Sequence, residues 1–371
     1  MIAKIAKLSG LALLASQVVS QRIVVPAQTP SGEDSHVQWI SGPSGFDAPK
    51  NRPQNTTSYD WWYFDTVSEP DARGEQPSFV ATFYNTGPDG FDPLRSLFPN
   101  GSYPSSNFVQ LDLTWPNGTI ENWFLIAGEA VITVEGDGAS GNFSNTGCSF
   151  EATPDMSQYV ITVNAPQKGI VGSMSIISDA PAHYPCGPNE EGQNMQLVPT
   201  AGWLNAIPDG LGEVQFNIRG HQMSYQGRGY HDHNYGNQPF SQAFMATYWG
   251  HGRIGEYAIV WADTLVPNGD NYVSAYVARD GEIVTAQCEG IQVRPYGDNS
   301  TYPPTTSSGT PTGVRMEIDS ADGQFELEAE YITITVDSNY YRRFTGTFRG
   351  TLDGQELPDG VALWEQFTFA E

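Results

Sequence analysis

The sequence predicts an all-β fold in which two antiparallel barrels or sandwiches follow one another along the chain. Aromatic residues make up 12% of the 371 residues, and the chain contains 39 glycines and 26 prolines. Aromatic side chains favour strands, whereas glycine and proline mark the turns between strands. Short runs with alternating apolar side chains recur, and no long segment has the apolar period of an amphipathic helix. A chain of this length can bury one large or two medium cores.

The first series of predicted strands begins at residues 59–65, after an arm without clear periodicity. Residues 108–115 alternate cleanly and end at a Pro-Asn-Gly turn, which is typical of a hairpin. The other strands predicted in this half are 79–84, 123–126, 130–134, 159–163 and 170–177. Because long loops in compact domains tend to be functional, we interpret residues 178–208 as a loop at the mouth of a site or at a domain junction.

The second series of predicted strands repeats this pattern and indicates a second domain in tandem with the first. Its strands are 213–219, 221–225, 229–235, 243–250, 254–262, 272–278, 282–286, 313–318, 325–334, 341–350 and 361–369. The predicted organisation is a signal peptide over 1–20, an N-terminal arm over 21–57, a first β domain over 58–212 and a second over 213–371.

The N-terminus has the pattern of a secretory signal peptide. Lys4 and Lys7 precede an apolar run, and small residues lead to a cleavage site near Gln21. We therefore expect the mature protein to be secreted or to reside in the lumen of the secretory pathway. Asn-X-Ser/Thr sequences then predict N-glycosylation. Their asparagines are Asn55, Asn100, Asn117, Asn142 and Asn299.

The charge of the chain argues against two classes of partner. The formal net charge is -25 at pH 7, so nucleic acids and anionic membrane surfaces would be repelled. No stretch after the N-terminus is apolar over the length of a membrane-spanning helix. A P-loop and a Gly-X-Ser-X-Gly nucleophile motif are both absent from the sequence. We therefore expect no nucleic-acid partner, no membrane partner and no cofactor.

The three cysteines permit one disulfide in an oxidising compartment. We predict that Cys148 pairs with Cys186, because these two are the closest in sequence. Cys288 is then expected to be a buried free thiol. It has no nearby histidine that would activate it as a nucleophile.

Residues 227–236 concentrate more ionisable side chains than any other short stretch. Their sequence is Gly-Arg-Gly-Tyr-His-Asp-His-Asn-Tyr-Gly. If these residues form a strand, successive side chains point to opposite faces. One face then carries Tyr230, Asp232 and Asn234, and the other carries His231, His233 and Tyr235. An alternative interpretation is a polar strand whose side chains hydrogen-bond one another at a barrel seam.

This strand supplies the candidate catalytic groups. His231 and His233 have ordinary pKa values near neutrality and could carry protons. Asp232 could be a general acid in a pocket apolar enough to keep it protonated, or it could orient a neighbouring imidazole. Arg228 could hold an oxyanion, or it could pair with an acidic surface. Glu365, on the last predicted strand, is a further acid candidate.

Aromatic side chains near the first strand are candidates for an apolar binding wall. Trp61, Trp62 and Tyr63 could line a cavity, or they could simply pack in a core. The remaining residues predicted to contact substrate are Tyr230, Asn234, Tyr235, Trp249 and His251. His251 with His231 and His233 also permits a three-histidine zinc site as an alternative.

Two motifs together resemble a known family. The Tyr59-Asp60-Trp61-Trp62-Tyr63 strand and the strand over 229–236 resemble the CrtC (hydroxyneurosporene synthase)/AttH-like proteins. With a signal peptide and glycosylation sites, the chain is similar to a secreted fungal branch that includes kievitone hydratase and fungal Diels–Alderases. The resemblance implies two tandem lipocalin-like antiparallel β-barrel or sandwich domains over the whole mature chain. It implies no metal, and the site is expected to hold none.

The resemblance also implies chemistry on water and alkenes in hydrophobic natural products. We expect an enzyme that dehydrates a polyketide or terpenoid alcohol and steers a Diels–Alder or hetero-Diels–Alder cycloaddition by acid and base groups in an apolar pocket. One alternative is a hydro-lyase like kievitone hydratase, which would add water to a prenylated isoflavonoid. A second is a carrier of a hydrophobic ligand without catalysis. In each case the expected partner is a hydrophobic small molecule.

Overall fold

Antiparallel strands form nearly all of the regular structure in the computed structural model. The described residues are 20–29, 32–43, 45–98, 101 and 103–370. The predicted signal peptide up to residue 19 and the predicted glycosylation site at Asn100 lie outside them. Within the described ranges, no helix is both long and apolar enough to cross a membrane.

The strands form two large sheets and one short pair. In the first half of the chain they are β1 (Gln21–Val25), β2 (His36–Val37), β3 (Asn51–Arg52), β4 (Tyr59–Val67), β5 (Ser78–Thr86), β6 (Asn107–Thr114), β7 (Ile120–Ile126), β8 (Ala130–Glu135), β9 (Gly138–Phe143), β10 (Cys148–Ala152), β11 (Gln158–Ala165), β12 (Ile170–Ser178), β13 (His183–Tyr184), β14 (Gly187–Pro188), β15 (Gln196–Val198), β16 (Ala201–Ile218) and β17 (His221–Gly236). In the second half they are β18 (Ala246–Ile254), β19 (Tyr257–Leu265), β20 (Asn271–Arg279), β21 (Glu282–Gln287), β22 (Ile291–Tyr296), β23 (Gly313–Ser320), β24 (Gly323–Asp337), β25 (Tyr341–Leu352), β26 (Gln355–Glu356) and β27 (Gly360–Thr368). The helical segments are α1 (Phe240–Ala243) and 3₁₀ turns at Asp92–Leu97 and Pro166–Lys168.

The first sheet curls into a barrel. Its strands follow the order β1-β8-β9-β10-β11-β12-β16-β17-β4-β5-β6-β7, and β13, β14 and β15 extend it beside β16. The two ends of this path meet, because the Asn107 side chain in β6 donates to the carbonyl of Val25 in β1 at 3.1 Å. The backbone N–H of Ser106 donates to Ala27 beside this contact at 2.7 Å. We call this unit the first barrel.

The second sheet curls in the same way. Its strands follow the order β21-β20-β19-β18-β27-β25-β24-β23-β22, with β26 beside β25. The last strand, β22, returns to β19, where the backbone N–H of Val293 donates to the Asp263 carboxylate at 2.9 Å. We call this unit the second barrel. The prediction of an all-β fold built from two lipocalin-like units is confirmed.

The boundary between the barrels lies further along the chain than the sequence predicted. The predicted division between residues 212 and 213 falls inside β16, and both β16 and β17 belong to the first barrel. The chain passes to the second barrel between Gly236 and Ala246, through the short helix α1. The first domain therefore includes the histidine-rich strand that the sequence assigned to the second.

Residues 178–208 contain strands where the sequence predicted a loop. The strands β13, β14 and β15 lie here, and β16 begins at Ala201. The first ten residues of β16 are all buried, so this part of the strand shows no alternation of polar and apolar side chains. A strand covered on both faces lacks the period that identifies a half-exposed strand, and for this reason it was missed.

Two neighbouring strands, β4 and β17, separate the core of the first barrel from the space between the barrels. Every residue of β4 is buried. Trp62 and Phe64 pack into the core of the first barrel, whereas Trp61 and Tyr63 belong to an apolar cluster that includes side chains of both barrels. Because adjacent side chains alternate between faces, each strand presents one set of groups to the barrel core and another to the second barrel.

The disulfide joins the two barrels, and the predicted pairing is wrong. Cys186, in the turn between β13 and β14, bonds to Cys288, which follows β21, with a Cα–Cα distance of 4.8 Å. Cys148 is the buried free cysteine, because β10 directs it into the core of the first barrel. Proximity in sequence was a poor guide, since the curled sheets bring Cys186 to a residue 102 positions away.

Candidate active site

A cavity of about 320 Å³ lies between the two barrels. Both barrels contribute to its walls, and aromatic side chains cover much of them. Among these are Trp61, Tyr63, Tyr84, Phe91, Phe240 and Trp249. The rings of Tyr63 and Trp249 meet edge to face with centroids 5.4 Å apart, one from each barrel. Such walls suit an apolar ligand with flat rings.

Side chains of β4 alternate between the cavity and the core of the first barrel, so only part of the predicted aromatic wall lines the cavity. Trp61 and Tyr63 line the cavity as the sequence analysis expected. Trp62 points the opposite way into the core of the first barrel, where its indole N–H donates to the carbonyl of Asp47 at 3.0 Å. The placement of Trp62 in a binding wall was therefore wrong, because its neighbours on both sides occupy the other face.

Asp232 is the buried acid of the cavity wall. Trp203 and Tyr230 donate to its Oδ2 at 2.7 and 2.9 Å, and the Asn234 amide donates to Oδ1 at 2.7 Å. Burial raises the pKa of Asp232, the hydrogen bonds from Trp203 and Tyr230 oppose this, and the result is a pKa of about 8. At neutral pH this carboxyl group is largely protonated and faces an apolar space.

His231 and His233 lie on the opposite face of β17 from Asp232, and neither lines the cavity. His231 Nδ1 contacts the carbonyl of Tyr63 at 2.9 Å, and its Nε2 lies 3.1 Å from Asp47 Oδ2. His233 lies between two carboxylates, with Nδ1 3.2 Å from Asp47 Oδ1 and Nε2 in contact with Asp60. The expectation that these histidines reach the substrate pocket is therefore wrong.

The two histidines and two aspartates form a buried ionic network, here called the His–Asp network (Asp47, Asp60, His231 and His233). Burial alone would raise the pKa of Asp47, but the charges and hydrogen bonds of the histidines lower it to about 2. Burial alone would lower the pKa of His233, but Asp60 and Asp47 raise it to about 9. The network matches the alternative interpretation of a hydrogen-bonded seam, since buried charges require such partners.

Asp47 belongs to the N-terminal arm, and the sequence carried no signal for it. The arm lacks periodicity, and the network forms only because the chain crosses the end of the first barrel. The carboxylate of Asp60 accepts the backbone N–H groups of Lys50 and Asn51 at 2.7 and 3.2 Å. The Tyr159 hydroxyl donates to Asp47 at 2.8 Å. The network thus ties the arm to β4 and β17, the strands that carry Trp61 and Asp232.

Arg228 and His251 are both held by carboxylates outside the cavity. Arg228 donates through Nε to Asp209 at 2.8 Å and also pairs with Asp179 at 2.7 Å, so its hydrogen bonds are used away from the cavity. Arg253, in β18, reaches the same Asp209 carboxylate at 2.8 Å. His251 Nε2 lies 2.9 Å from Asp65 in β4. The placement of Arg228 and His251 at the substrate was wrong, because Arg228 pairs with two carboxylates of its own barrel and His251 contacts Asp65 across the barrels.

The other residues predicted to contact substrate also differ in whether they line the cavity. Asn234 lines the cavity beside Asp232. Tyr230 supports Asp232 from behind and stacks on His251 with ring centroids 4.2 Å apart. Tyr235 lies on the histidine face, where its hydroxyl donates to Gln38 of the arm at 2.8 Å. Tyr235 therefore belongs to the barrel core and not to the cavity.

The three-histidine zinc alternative does not agree with the structure. His231 and His233 point into the first barrel, and His251 contacts Asp65 on the other face of the sheet. One glycine pattern, residues 250–255, has the spacing of a dinucleotide-binding turn. It lies almost entirely within β18 and not at the start of a helix, so it lacks the geometry that binds a pyrophosphate.

Comparison with known proteins places the chain in a family. A family model described as Diels-Alderase-like matches residues 27–303. The chain belongs to the Diels-Alderase-like family. It is 33% identical over 91% of its length to the quinolone epoxide rearrangement protein asqO of Emericella nidulans, of which 91% is covered. It is 31% identical to the quinolone epoxide rearrangement protein penF of Penicillium thymicola, covering 90% of this chain and 92% of penF.

Solved structures share the fold of this Diels-Alderase-like chain. The crystal structure of CghA with Sch210972 superimposes with a TM-score of 0.75 at 18% identity, covering 94% of this chain and 99% of CghA. Kievitone hydratase from Nectria haematococca superimposes with a TM-score of 0.56 at 13% identity, covering 93% and 98% of the two chains. The resemblance inferred from the two motifs is confirmed.

A second set of polar side chains lines the cavity of this Diels-Alderase-like chain. We call it the Arg343 cluster (Asp112, Tyr341, Arg343 and Glu365). Arg343 donates through Nη1 to Asp112 of the first barrel and through Nε to Glu365, both at 2.7 Å. The Tyr341 hydroxyl donates to the same Glu365 oxygen at 2.7 Å. Burial raises the pKa of Glu365, and Arg343 and Tyr341 oppose this rise.

The sequence pointed to only one member of this cluster. Glu365 was named as an acid candidate, and it does line the cavity. Asp112 and Arg343 were missed because each lies in an otherwise ordinary alternating strand. They are 231 positions apart in sequence and meet only when the barrels pack. The cavity therefore carries an acid, Asp232, and a separate ionic cluster.

Proposed function

We propose that this chain is a cofactor-independent enzyme of fungal secondary metabolism that opens a carbon–oxygen bond in a hydrophobic aromatic substrate, with Asp232 as the general acid. The substrate class best supported is a quinolone epoxide, since two relatives that align over nine-tenths of the chain are quinolone epoxide rearrangement proteins. The observation that carries the proposal is the buried carboxyl group of Asp232 in the wall of an aromatic cavity, where burial raises its pKa.

The first step transfers the Asp232 proton to the epoxide oxygen while the carbon–oxygen bond breaks. Trp203, Tyr230 and Asn234 then stabilise the aspartate anion through the hydrogen bonds they already make. The positive charge that develops on a carbon beside an aromatic ring faces other aromatic rings, which favour a cation. After migration of a neighbouring group, loss of a proton gives the product and restores the proton of Asp232. The reaction is an isomerisation and consumes nothing else.

The same acid supports the second candidate, which is the dehydration and cycloaddition expected from the sequence. Asp232 would protonate a hydroxyl group, which leaves as water, and the aromatic walls would orient the resulting alkene or diene. A cycloaddition requires little beyond orientation and removal from water. Membership of a Diels-Alderase-like family and the largely apolar cavity favour this candidate over water addition of the kievitone hydratase type.

The test of the proposed acid is the substitution Asp232→Asn. The amide keeps the size of the side chain but cannot donate a carboxylic proton. We expect turnover of an aryl quinolone epoxide to fall by roughly 10²- to 10⁴-fold, the usual contribution of a general acid. Binding of the product, measured by tryptophan quenching, should remain within a few fold.

A matched control is Asp263→Asn, which changes another buried carboxylate that pairs with an arginine outside the cavity. This control should keep its activity. Undiminished turnover by the Asp232→Asn variant would contradict the proposed function. If wild-type protein binds quinolone epoxides and benzylic alcohols but converts neither, the carrier alternative replaces it.

We also propose that the chain enters the secretory pathway. The disulfide between Cys186 and Cys288 supports an oxidising compartment. Asn117, Asn142 and Asn299 are exposed, as a glycan requires, and Asn55 is half-buried. Expression in a fungal host should give protein in the medium whose mass falls after endoglycosidase treatment. Protein found only in the cytosol without glycans would contradict this proposal.

A further inference from the structure

The Arg343 cluster has hydrogen-bonding capacity that the chemistry of Asp232 does not use. Arg343 is 3% exposed and Glu365 is 6% exposed, and both line the cavity. The Arg343 guanidinium donates through Nη1 and Nε, but Nη2 has no hydrogen-bond partner among the described residues. Glu365 accepts two hydrogen bonds through Oε1, whereas Oε2 accepts none from the described part of the chain.

The unused donor and the unused acceptor belong to two groups that are hydrogen-bonded to each other. Nη2 is bonded to the same carbon as Nε, and Oε2 to the same carbon as Oε1, and Nε lies 2.7 Å from that Oε1. Both unused atoms keep some accessible surface, so a ligand in the cavity can reach them and gains two charge-assisted hydrogen bonds. Asp112 bonds to Arg343, Tyr341 bonds to Glu365, and Arg343 and Glu365 bond to each other. These contacts hold the Arg343 and Glu365 side chains in place, which lowers the entropic cost of binding a ligand.

The charge around the cluster selects a neutral ligand group. Arg343 is the only lysine or arginine that lines the cavity in the described structure, and Asp112 and Glu365 already contact it. Asp337 also lines this cavity. A carboxylate or phosphate would meet more negative than positive groups. A neutral group with a carbonyl oxygen beside an N–H matches the donor and the acceptor without adding charge.

We propose that Arg343 and Glu365 form a subsite for a secondary lactam of the substrate. Nη2 of Arg343 donates to the lactam carbonyl, and the lactam N–H donates to Oε2 of Glu365. This inference rests on the proposed function and names its substrate class more closely, since a quinolin-2-one carries such a lactam. The subsite binds and orients the ring system while Asp232 acts on the oxygenated carbon.

A pair of unreactive ligands tests the subsite in the wild-type protein. The probe is 4-phenylquinolin-2(1H)-one, and its partner is 4-phenylcoumarin, in which a ring oxygen replaces the N–H and the carbonyl stays. The coumarin loses one hydrogen bond and places an oxygen lone pair against Glu365. We expect the quinolinone to bind about tenfold or more tightly by calorimetry, as for a hydrogen bond to a charged group.

The variant Glu365→Gln tests which residue makes this distinction. Its amide can place an N–H where the carboxylate had an acceptor, so the preference should disappear or reverse in favour of the coumarin. Arg343→Lys keeps the charge but loses the planar guanidinium with its fixed donors. Both ligands share the carbonyl, so both should bind about tenfold more weakly. Asp263→Asn is the matched control, because Asp263 also lies 2.7 Å from an arginine nitrogen but outside the cavity. This control should keep the wild-type preference.

Three results would overturn the subsite. They are equal binding of the two ligands to the wild-type protein, an unchanged preference in Glu365→Gln, and no binding of either ligand. The wild-type comparison decides the matter even if a variant does not fold. If Asp232→Asn abolishes turnover while no lactam preference exists, the subsite fails and the proposed function stands. A lactam preference together with undiminished turnover by Asp232→Asn would support the subsite and contradict the proposed function.

Discussion

At the scale of single residues, the central feature is the difference between Asp232 and its neighbours on β17. Asp232 faces an aromatic cavity, and burial raises its pKa to about 8 although the hydrogen bonds from Trp203 and Tyr230 lower it. One residue away on either side, the histidines face carboxylates in a barrel core. Adjacent positions in one strand thus have different functions, because alternation places them in different environments.

The pKa of Asp232 predicts the pH dependence of turnover. A general acid is active in its protonated form, so the activity it supports is present below its pKa and lost above it. With a pKa of about 8, kcat/KM should be flat through neutral pH and fall with rising pH, by about tenfold per unit, above that value. Steady-state rates from acidic to alkaline buffers measure this. A rate that rises through the same range would indicate a base instead.

At the scale of elements, the His–Asp network joins the arm, β4 and β17. His233 is fully buried between Asp47 and Asp60, and its ring packs against that of Trp62 at a tilt of 32° with centroids 4.6 Å apart. The opposite faces of the same strands carry Trp61 and Asp232 into the cavity. The network therefore holds in register the two strands that form one wall of the active site.

Replacing His233 with asparagine should destabilise the fold in a pH-dependent way. The pKa of His233 is about 9 in the folded protein, above its ordinary 6.5, so its stabilisation is complete below about pH 6.5 and lost as pH rises through 9. The shift corresponds to about 3 kcal/mol of unfolding free energy. Urea unfolding of both proteins at several pH values should show the difference narrowing towards alkaline pH.

The control for this comparison is His221→Asn, an exposed histidine at the start of β17, which should change little. Lys50 has an effect of opposite sign, because burial lowers its pKa to about 8 from 10.5, so its contribution to stability grows as pH rises. Lys50 is present in both proteins, so the difference in unfolding free energy between wild-type protein and the His233 variant separates the effect of His233 from that of Lys50. A difference that does not change with pH would show that His233 is neutral in the fold.

The part of the site that could be predicted from sequence depended on local patterns. The alternation of β17 correctly separated Asp232 and Asn234 from the histidines, because the strand period is a local property. The sequence could not tell which face met the cavity, since both are buried and polar. Asp47, in an arm without periodicity, and Arg343, in the second barrel, are brought to the site only by tertiary packing.

At the scale of the whole molecule, two barrels form the walls of the cavity and are joined to each other by side-chain contacts and a disulfide. The ion pair from Arg343 to Asp112 and the contact from His251 to Asp65 cross between the barrels, and the disulfide between Cys186 and Cys288 links them covalently. The all-β fold and its duplication were predictable from turn residues and strand spacing. The barrel boundary and the disulfide were not, because both depend on how distant strands pack.

Removing the disulfide by Cys288→Ser should lower stability. The two cysteines are 102 residues apart, and by reducing the entropy of the unfolded chain a cross-link over this span adds up to about 5 kcal/mol to the free energy of unfolding. Cys148→Ala is the control, since it removes the buried free thiol and should cost about 1 kcal/mol. Thermal unfolding with and without reductant compares them. If reductant lowers the melting temperature of the Cys288→Ser variant as much as that of wild-type protein, the assigned pairing is wrong.

The most direct test of the central claim is the protonation state of Asp232 itself. Infrared difference spectra between wild-type protein and Asp232→Asn isolate the carbonyl stretch of this one carboxyl group. We expect the band of a protonated acid at neutral pH, lost as pH rises through about 8. A carboxylate band that persists through neutral and mildly acidic pH would show that Asp232 cannot be the proton donor.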